Sequence, residues 1–287
     1  MYSSIVVGYD DSLYSKAALA EVAQRVKKNG GSVTLVHAVF FDKEEFAVMP
    51  SQLEQRMDIG ARLCRVAKTD LQSAYGLNGS VESFVCEGEP PEVIVDTARG
   101  KKADLIALGT YGRRGLKRLL MGSVTSQVIL NATCDVLVVK KPCIGCTGSY
   151  RSLLVPFDGS ISSEKALLRA AALAKTDGAE ISVLYVIPRY EEMMDFFKTE
   201  TIKKSLYQEA EKIVGGAKKL ASGLGLSIKA VVQEGRAGDK IVEIADTMKH
   251  DLIVVGTHGW SGMDKAIMGS TAERVIANAS CPILIVK

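Results

Sequence analysis

Short apolar runs and longer amphipathic stretches alternate along the whole chain. In the first half, β-branched runs fall at 3–9, 32–39, 81–86, 104–109 and 135–140. They are continuous rather than alternating, the pattern of strands covered on both faces and so of a parallel sheet. Helical segments lie between them, near 12–29, 52–76, 90–101 and 122–132. Ala17, Ala18, Val22 and Val26 show the three- and four-residue apolar spacing of an amphipathic helix. The pattern then starts again, with strands expected near 151–157, 180–187, 227–232, 251–256 and 282–286. Five strands alternating with four helices predict an α/β fold, doubly wound, with a five-stranded parallel sheet. Right-handed crossovers put helices on both faces. The expected strand order is 3-2-1-4-5.

The second run of elements is a copy of the first. Residues 103–140 and 250–287 align without a gap, with 18 identities in 38 columns at an offset of 147. The segment 5–12, IVVGYDDS, matches 153–160, LLVPFDGS, at an offset of 148. VTLVHAV at 33–39 pairs with ISVLYVI at 181–187, and Cys86-Glu87-Gly88 with Gln233-Glu234-Gly235. The chain therefore reads as two tandem domains, 1–142 and 151–287, joined by a linker at 143–150 that carries glycine and serine.

Composition adds mostly exclusions. Of 287 residues, 47% are hydrophobic and 24% charged, ordinary for a globular chain. The net charge is +3, with 18 basic and 16 acidic residues in 1–147 and 18 and 17 in the rest. Neither half is a basic nucleic-acid domain, so no nucleic-acid partner is expected. No apolar run is long enough to span a bilayer, and acidic residues follow the N-terminus too soon for a secretory signal. Six cysteines are too few for a disulfide scaffold. The expectation is a cytoplasmic protein with free thiols and no membrane span.

In open α/β sheets, ligands bind beyond the carboxyl ends of the strands, where strand order reverses. Two places in each half carry unusual residues there. One is the end of strand one, Gly8-Tyr9-Asp10-Asp11-Ser12 and Pro156-Phe157-Asp158-Gly159-Ser160. The other is the end of strand four, where glycine loops begin: Gly109-x2-Gly112-x9-Gly122-Ser123 and Gly256-x2-Gly259-x9-Gly269-Ser270. Glycine permits close backbone approach and positive φ. The free amides at a helix start attract an anion such as phosphate. Ser123 and Ser270 are read either as helix caps or as phosphate ligands. Asp10 and Asp158 are read either as caps or as acceptors for ribose hydroxyls. If strands one and four are neighbours, each half has one crevice.

The combination of V-x-x-D-x-S, the strand Val36-His37-Ala38-Val39, the two G-x2-G-x9-G-S loops and the final VLVVK strand resembles the universal stress protein family. The resemblance spans nearly the whole chain as two copies. It implies the ATP-binding branch, in which that glycine pattern accompanies nucleotide binding. It implies adenine against Gly8 and Ala38, or Pro156 and Val186, and ribose near Asp10 or Asp158. Phosphates would lie on Gly109, Gly112, Gly122, Ser123 and Val124, or on Gly256, Gly259, Gly269, Ser270 and Thr271. The cofactor implied is ATP, or ADP or AMP, with a divalent cation accompanying the phosphates. Family domains often pair through their last strands. The resemblance thus implies an intramolecular pseudo-dimer through 135–140 and 282–286, a homodimer beyond it, and a regulatory protein partner.

The two loops differ. The first is basic, with Arg113, Arg114, Lys117 and Arg118; the second has Trp260, Ser261, Asp264 and Lys265. Arg113 is therefore added to the phosphate-binding residues. Gly8 stands where the second half has Pro156, and Asp11 where it has Gly159, which argues against equal occupancy. Walker-type, dinucleotide and nucleophile-elbow motifs are absent. With no positioned nucleophile or general base, no catalytic residue is assigned. The leading reading is a stress-response regulatory protein that binds an adenine nucleotide. The alternatives are slow ATP hydrolysis and a dimerisation module with empty sites. Cys143-x-x-Cys146 reads first as a plain linker pair; the alternatives are half a zinc site or a redox pair, the latter without the helix start it needs, and no metal site is assigned. Cys134 and Cys281 read as packing residues, and His37 as a packed strand residue. His258 lies in the second glycine loop, within reach of a phosphate. Phe40, Phe41, Phe46, Met49, Met193, Met194, Phe196 and Phe197 read as core, lid or partner surface.

Overall fold

In the computed structural model, described over residues 2–40, 50–77, 79–110, 122–141, 147–188, 200–257 and 269–287, the apolar runs are strands and the amphipathic stretches helices. Two compact units result, Tyr2–Ser149 and Tyr150–Lys287. The first contains β1 Ser4–Gly8, α1 Leu13–Asn29, β2 Ser32–Val39, α2 Pro50–Tyr75, β3 Val81–Glu87, α3 Pro90–Gly100, β4 Leu105–Gly109, α4 Ser123–Asn131 and β5 Asp135–Val139. The second contains β6 Ser152–Pro156, α5 Ile161–Asp177, β7 Glu180–Ile187, α6 Glu200–Gly223, β8 Lys229–Glu234, α7 Ala237–Thr247, β9 Leu252–Gly256, α8 Ser270–Asn278 and β10 Ile283–Val286.

The strand order is β3-β2-β1-β4-β5 in the first unit and β8-β7-β6-β9-β10 in the second, the 3-2-1-4-5 order in both. Adjacent strands within each unit run parallel. The central pairings set Val6 beside Ile106 and Leu154 beside Ile253. All four side chains are fully buried, as strands covered on both faces require. At the edge of the first unit, β3 is polar and exposed at Glu82 and Ser83. Lys101 pairs with Glu82 at 2.6 Å and lies 4.8 Å from the Phe84 ring centre. A charged, partly covered edge of this kind resists pairing with other strands.

Element boundaries differ from the expectation by one or two residues. β8, for example, spans Lys229–Glu234 instead of 227–232. The end of α6 closes through bonds from the Leu224 and Leu226 amides to the Ala221 carbonyl, with Gly225 at φ +71. Strand pairing starts three residues after that turn, with Lys229 opposite Ser182 of β7.

An aspartate just before the fourth strand braces the first strand in both units. Asp104 accepts the Ser3 amide at 2.7 Å, the Ser4 amide at 3.2 Å and the Ser3 hydroxyl at 2.9 Å. Asp251 accepts the Arg151 and Ser152 amides at 2.7 and 3.0 Å. In return, the aspartate's own amide donates to Ser4 or Ser152. The brace satisfies donors at the start of the central strand and locks its register against β4 or β9. Beside it in the second unit, His250 is 6% exposed, where the first unit has Ala103. Its Nδ1 is hydrogen-bonded to the Ser152 hydroxyl at 2.7 Å, and its Nε2 is buried with no partner. Burial holds its pKa below the ordinary histidine value; Lys229 adds to this and Asp251 opposes it.

No helix among the described residues is long and apolar enough to cross a membrane.

Two expected outcomes follow from these braces. Removing either carboxylate, as Asp104→Ala or Asp251→Ala, costs about 1–3 kcal/mol in urea unfolding, since it strands backbone donors. An unchanged midpoint would show the brace to be redundant. His250, with its folded pKa depressed, takes up a proton more readily when unfolded. Stability is therefore lost as pH falls through the unfolded value near 6.5. Thermal melts of wild type between pH 7 and 5.5 show this loss, and His250→Ala flattens it.

Candidate functional site

The turn after the first strand is built the same way in both units. Ser12 and Ser160 are the N-caps of α1 and α5, and their side chains accept the amides of Ser15 and Ser163 at 3.2 Å. Asp10 and Asp158 precede those caps. The Asp10 Oδ1 accepts the Ser12 amide at 3.1 Å; the Asp158 Oδ1 accepts the Ser160 amide at 3.0 Å and its hydroxyl at 2.6 Å. The capping reading of these aspartates is thus corrected: the serines cap, and the aspartates close the turn before them. The residue between is left-handed, Asp11 at φ +65 and Gly159 at φ +81. Glycine adopts that conformation without strain, and aspartate is among the few other residues that tolerate it.

The described glycines of the two loops do different work. Gly109 ends β4, and a Cβ there would meet the Tyr14 carbonyl carbon at 2.6 Å and the Ser15 amide nitrogen at 2.8 Å. At Gly256 the Cβ would meet the Ser162 carbonyl oxygen at 2.6 Å. These two glycines admit the first turn of α1 or α5 against the strand end, a packing role. Gly122 and Gly269 are the N-caps of α4 and α8, at φ −61, so no positive φ is needed there. Neither helix has a side-chain cap bond. Ser123 and Ser270 are the first helical residues, which removes the capping reading for them as well. At Gly269 a Cβ has nothing closer than the Thr257 carbonyl oxygen at 3.9 Å.

In the second unit these pieces surround a cavity of about 430 Å³, within the usual range for small-molecule sites. Pro156, Asp158, Val186, Gly256, Gly269, Ser270 and Thr271, all expected from the sequence, line it. Gly259, Gly112 and Arg113 lie outside the described residues, as do His258, Cys143 and Cys146. The sequence reading missed Ala237 and Ile241 of α7, Tyr185 of β7, and Thr257. A signal for α7 was present: the Glu-Gly pair ends the third strand in both halves, at Gly88 (φ +143) and Gly235 (φ +144), and turns the chain into that helix.

The corresponding residues of the first unit occupy matching places. Gly8 pairs with Val36 at the end of β1, and Ala38 lies near the end of β2. The Gly122 amide donates to the Thr110 carbonyl at 3.0 Å, which holds the start of α4, with Ser123 and Val124, at the end of β4. Thr125 donates its hydroxyl to the Gly109 carbonyl at 2.8 Å. His37 is structural: its Nδ1 donates to the Tyr9 carbonyl at 2.8 Å, and a Cβ on Gly60 would strike its ring.

The electrostatics of the two turns differ. Tyr9, the counterpart of Phe157, donates its hydroxyl to Asp11 at 2.9 Å, and Lys16 pairs with Asp11 at 2.9 Å. Burial, then the bond to Asp11, raise the Tyr9 pKa well above the tyrosine value. Tyr185 is raised by burial, then by Glu209 and Asp158, and so stays a neutral donor in the cavity wall. Burial pushes the Cys64 thiol to about 11 and Cys281 to about 12, which leaves both unreactive near neutral pH. Cys281 is buried as expected, whereas Cys134 is only half-buried. Phe40 is half-buried; the other residues of its apolar set lie outside the described residues. Among the described residues, no group of three or more His, Cys, Asp and Glu could hold a metal ion.

Two doubly wound units in tandem, each with glycine at the end of strand four and a helix without a side-chain cap bond beyond it, are two copies of one domain. The chain belongs to the universal stress protein family, whose model matches residues 1–140 and 149–287. Universal stress protein Rv2005c of Mycobacterium tuberculosis is 27% identical over 295 residues, covering 99% of this chain and 96% of the relative. Universal stress protein MJ0531 of Methanocaldococcus jannaschii is 37% identical over 140 residues, covering 48% of this chain and 82% of the relative. A solved universal stress protein from Archaeoglobus fulgidus has a TM-score of 0.71 at 19% identity, covering 99% of this chain and 96% of its own, and shares the fold. A universal stress protein solved in complex with cAMP matches 48% of this chain and 98% of its own, at 28% identity and a TM-score of 0.40.

The different work of the glycines has a measurable consequence. Gly256→Ala costs about 1–3 kcal/mol in urea unfolding, because backbone must move. Gly269→Ser leaves stability unchanged or raises it by about 0.5 kcal/mol, since serine is a good N-cap and its Cβ enters open space. Equal losses from both would refute the distinction.

Proposed function

We propose that this protein is a stress-response regulator that binds ATP, or ADP or AMP, in the crevice of one or both units. The observation that carries the reading is the convergence of Pro156, Asp158, Val186, Gly256, Gly269, Ser270 and Thr271 on one cavity in the second unit. The apolar wall of Pro156, Val186 and Ile241 suits a flat base. Asp158 lies at the strand end, where a carboxylate can accept ribose hydroxyls. The amides at the start of α8, with no side chain capping them, suit the phosphates. A divalent cation would accompany the phosphates. In this reading occupancy of the crevice alters the surface offered to a protein partner or to a second copy of the chain.

Calorimetry with ATP, ADP and AMP tests the reading, alongside mass spectrometry of any ligand released from the purified protein. Binding is expected, and Gly269→Ser weakens it at least tenfold by filling the space a phosphate needs, with its fold intact. Absence of binding to all three nucleotides would overturn the proposal. Turnover of about 1 per second or faster would mark an enzyme instead.

A further inference from the structure

α6 carries glycine at two successive positions in its interior, Gly215 and Gly216. Both are exposed, and a Cβ at either would meet nothing within 4 Å. Neither has a positive φ. Packing and turn geometry therefore do not call for glycine here, although each glycine weakens the helix about fivefold relative to alanine. The first unit builds the same helix without them. The buried positions of α6, Ala210, Val214, Ala217 and Ala221, have the spacing of Gly60, Cys64, Ala67 and Leu71 in α2. That match sets Arg65 and Val66, both exposed, where α6 has its glycine pair.

The pair divides α6 into parts that are held differently. Between 200 and 209 no residue is buried, and Ala210 and Val214 are the buried residues before the pair. The Tyr207 hydroxyl donates to Glu234 at the end of β8, and Tyr207 is 41% exposed. Glu234 precedes Gly235, which turns the chain into α7, whose Ala237 and Ile241 line the cavity. Glu209 acts electrostatically on Tyr185, another residue of the cavity wall. In the first unit, Arg56 of α2 instead donates to the Phe40 carbonyl just past β2, at 3.1 Å.

We infer that residues 200–214 of α6 form a flap that swings about Gly215–Gly216 and, by leaving Tyr185 and the end of β8, admits ligand to the second unit's cavity. A helical stretch with few buried side chains opens locally at low cost, and exposed glycines lower that cost further. The Tyr207–Glu234 bond is the latch. The hinge stands on the geometry of α6; that the admitted ligand is an adenine nucleotide rests on the reading above.

Hydrogen exchange of the nucleotide-free full chain, read by mass spectrometry on peptides of α6, tests the hinge. Residues 200–214 are expected to exchange faster than 217–223. The double variant Gly215→Ala/Gly216→Ala slows exchange of 200–214 roughly 20-fold, about fivefold per glycine. Tyr207→Phe releases the latch and speeds it about fivefold. Stopped-flow mixing with a fluorescent ATP analogue tests the gate, on the binding phase that Gly269→Ser weakens and that marks the second unit. The double alanine variant is expected to slow association and dissociation alike, by about tenfold, with the dissociation constant held within about threefold. Tyr207→Phe speeds both. Uniform exchange along α6, or exchange of 200–214 moved by neither variant, would overturn the hinge. Altered exchange with unaltered rates of nucleotide binding overturns the gate and leaves the nucleotide reading standing. If ATP does not bind at all, the nucleotide reading and the gate fall together, and exchange decides the hinge alone.

Discussion

At the end of the fourth strand of each unit, backbone lies against backbone. The strand-end glycine, Gly109 or Gly256, has no room for a Cβ because the first turn of α1 or α5 occupies that space. This contact lets the first helix start directly beside β4 or β9 while the chain leaves β1 or β6 on its way to the opposite crossover. The strands on either side of this junction send their connections to opposite faces, so a crevice opens between the two strand ends. The serine caps, the aspartate-closed turns and the uncapped starts of α4 and α8 all gather around that junction. A side chain at the glycine would move the helix, and with it one wall of the crevice.

The opposite ends of the same strands carry the matching constraint. Asp104 and Asp251 tie the start of the first strand to the start of the fourth, where a parallel sheet otherwise leaves amide donors unpaired. The central pair is thus fixed at both ends, by side-chain acceptors at one and close glycine packing at the other. Between them lie the fully buried Val6, Val7, Leu153 and Leu154. A crevice between two strands fixed in this way keeps its width, which is what a preorganised site needs.

The two halves keep this frame and vary what decorates it. Tyr9 and Asp11 replace Phe157 and Gly159, so the first unit has a hydroxyl–carboxylate–ammonium chain through Lys16 where the second has an apolar ring and open backbone. His37 props the Tyr9 carbonyl, and Gly60 makes room for its ring. His250 sits beside the second aspartate brace where Ala103 sits beside the first. Each change falls next to a fixed feature, and none falls on one. A duplicated domain can diverge this way without losing its fold.

Much of this was legible in the sequence. Continuous apolar runs identified buried parallel strands, since only strands covered on both faces lack polar alternation. The repeat gave the tandem organisation, and the residues around Asp158 and Gly269 pointed to the crevice because both halves keep them at strand ends, where ligands bind in open α/β sheets. What the sequence could not separate were roles that share a residue type. Glycine serves both packing at Gly256 and open space at Gly269, and only the positions of atoms from distant segments distinguish them. Serine and aspartate both cap helices, so assigning the cap to Ser160 and the preceding turn to Asp158 required the hydrogen bonds themselves. The aspartate braces carried no local pattern at all, and the α7 wall was signalled only by the Glu-Gly pair that precedes it. Each depends on segments far apart in the chain meeting in space, and that meeting is decided by strand order and packing.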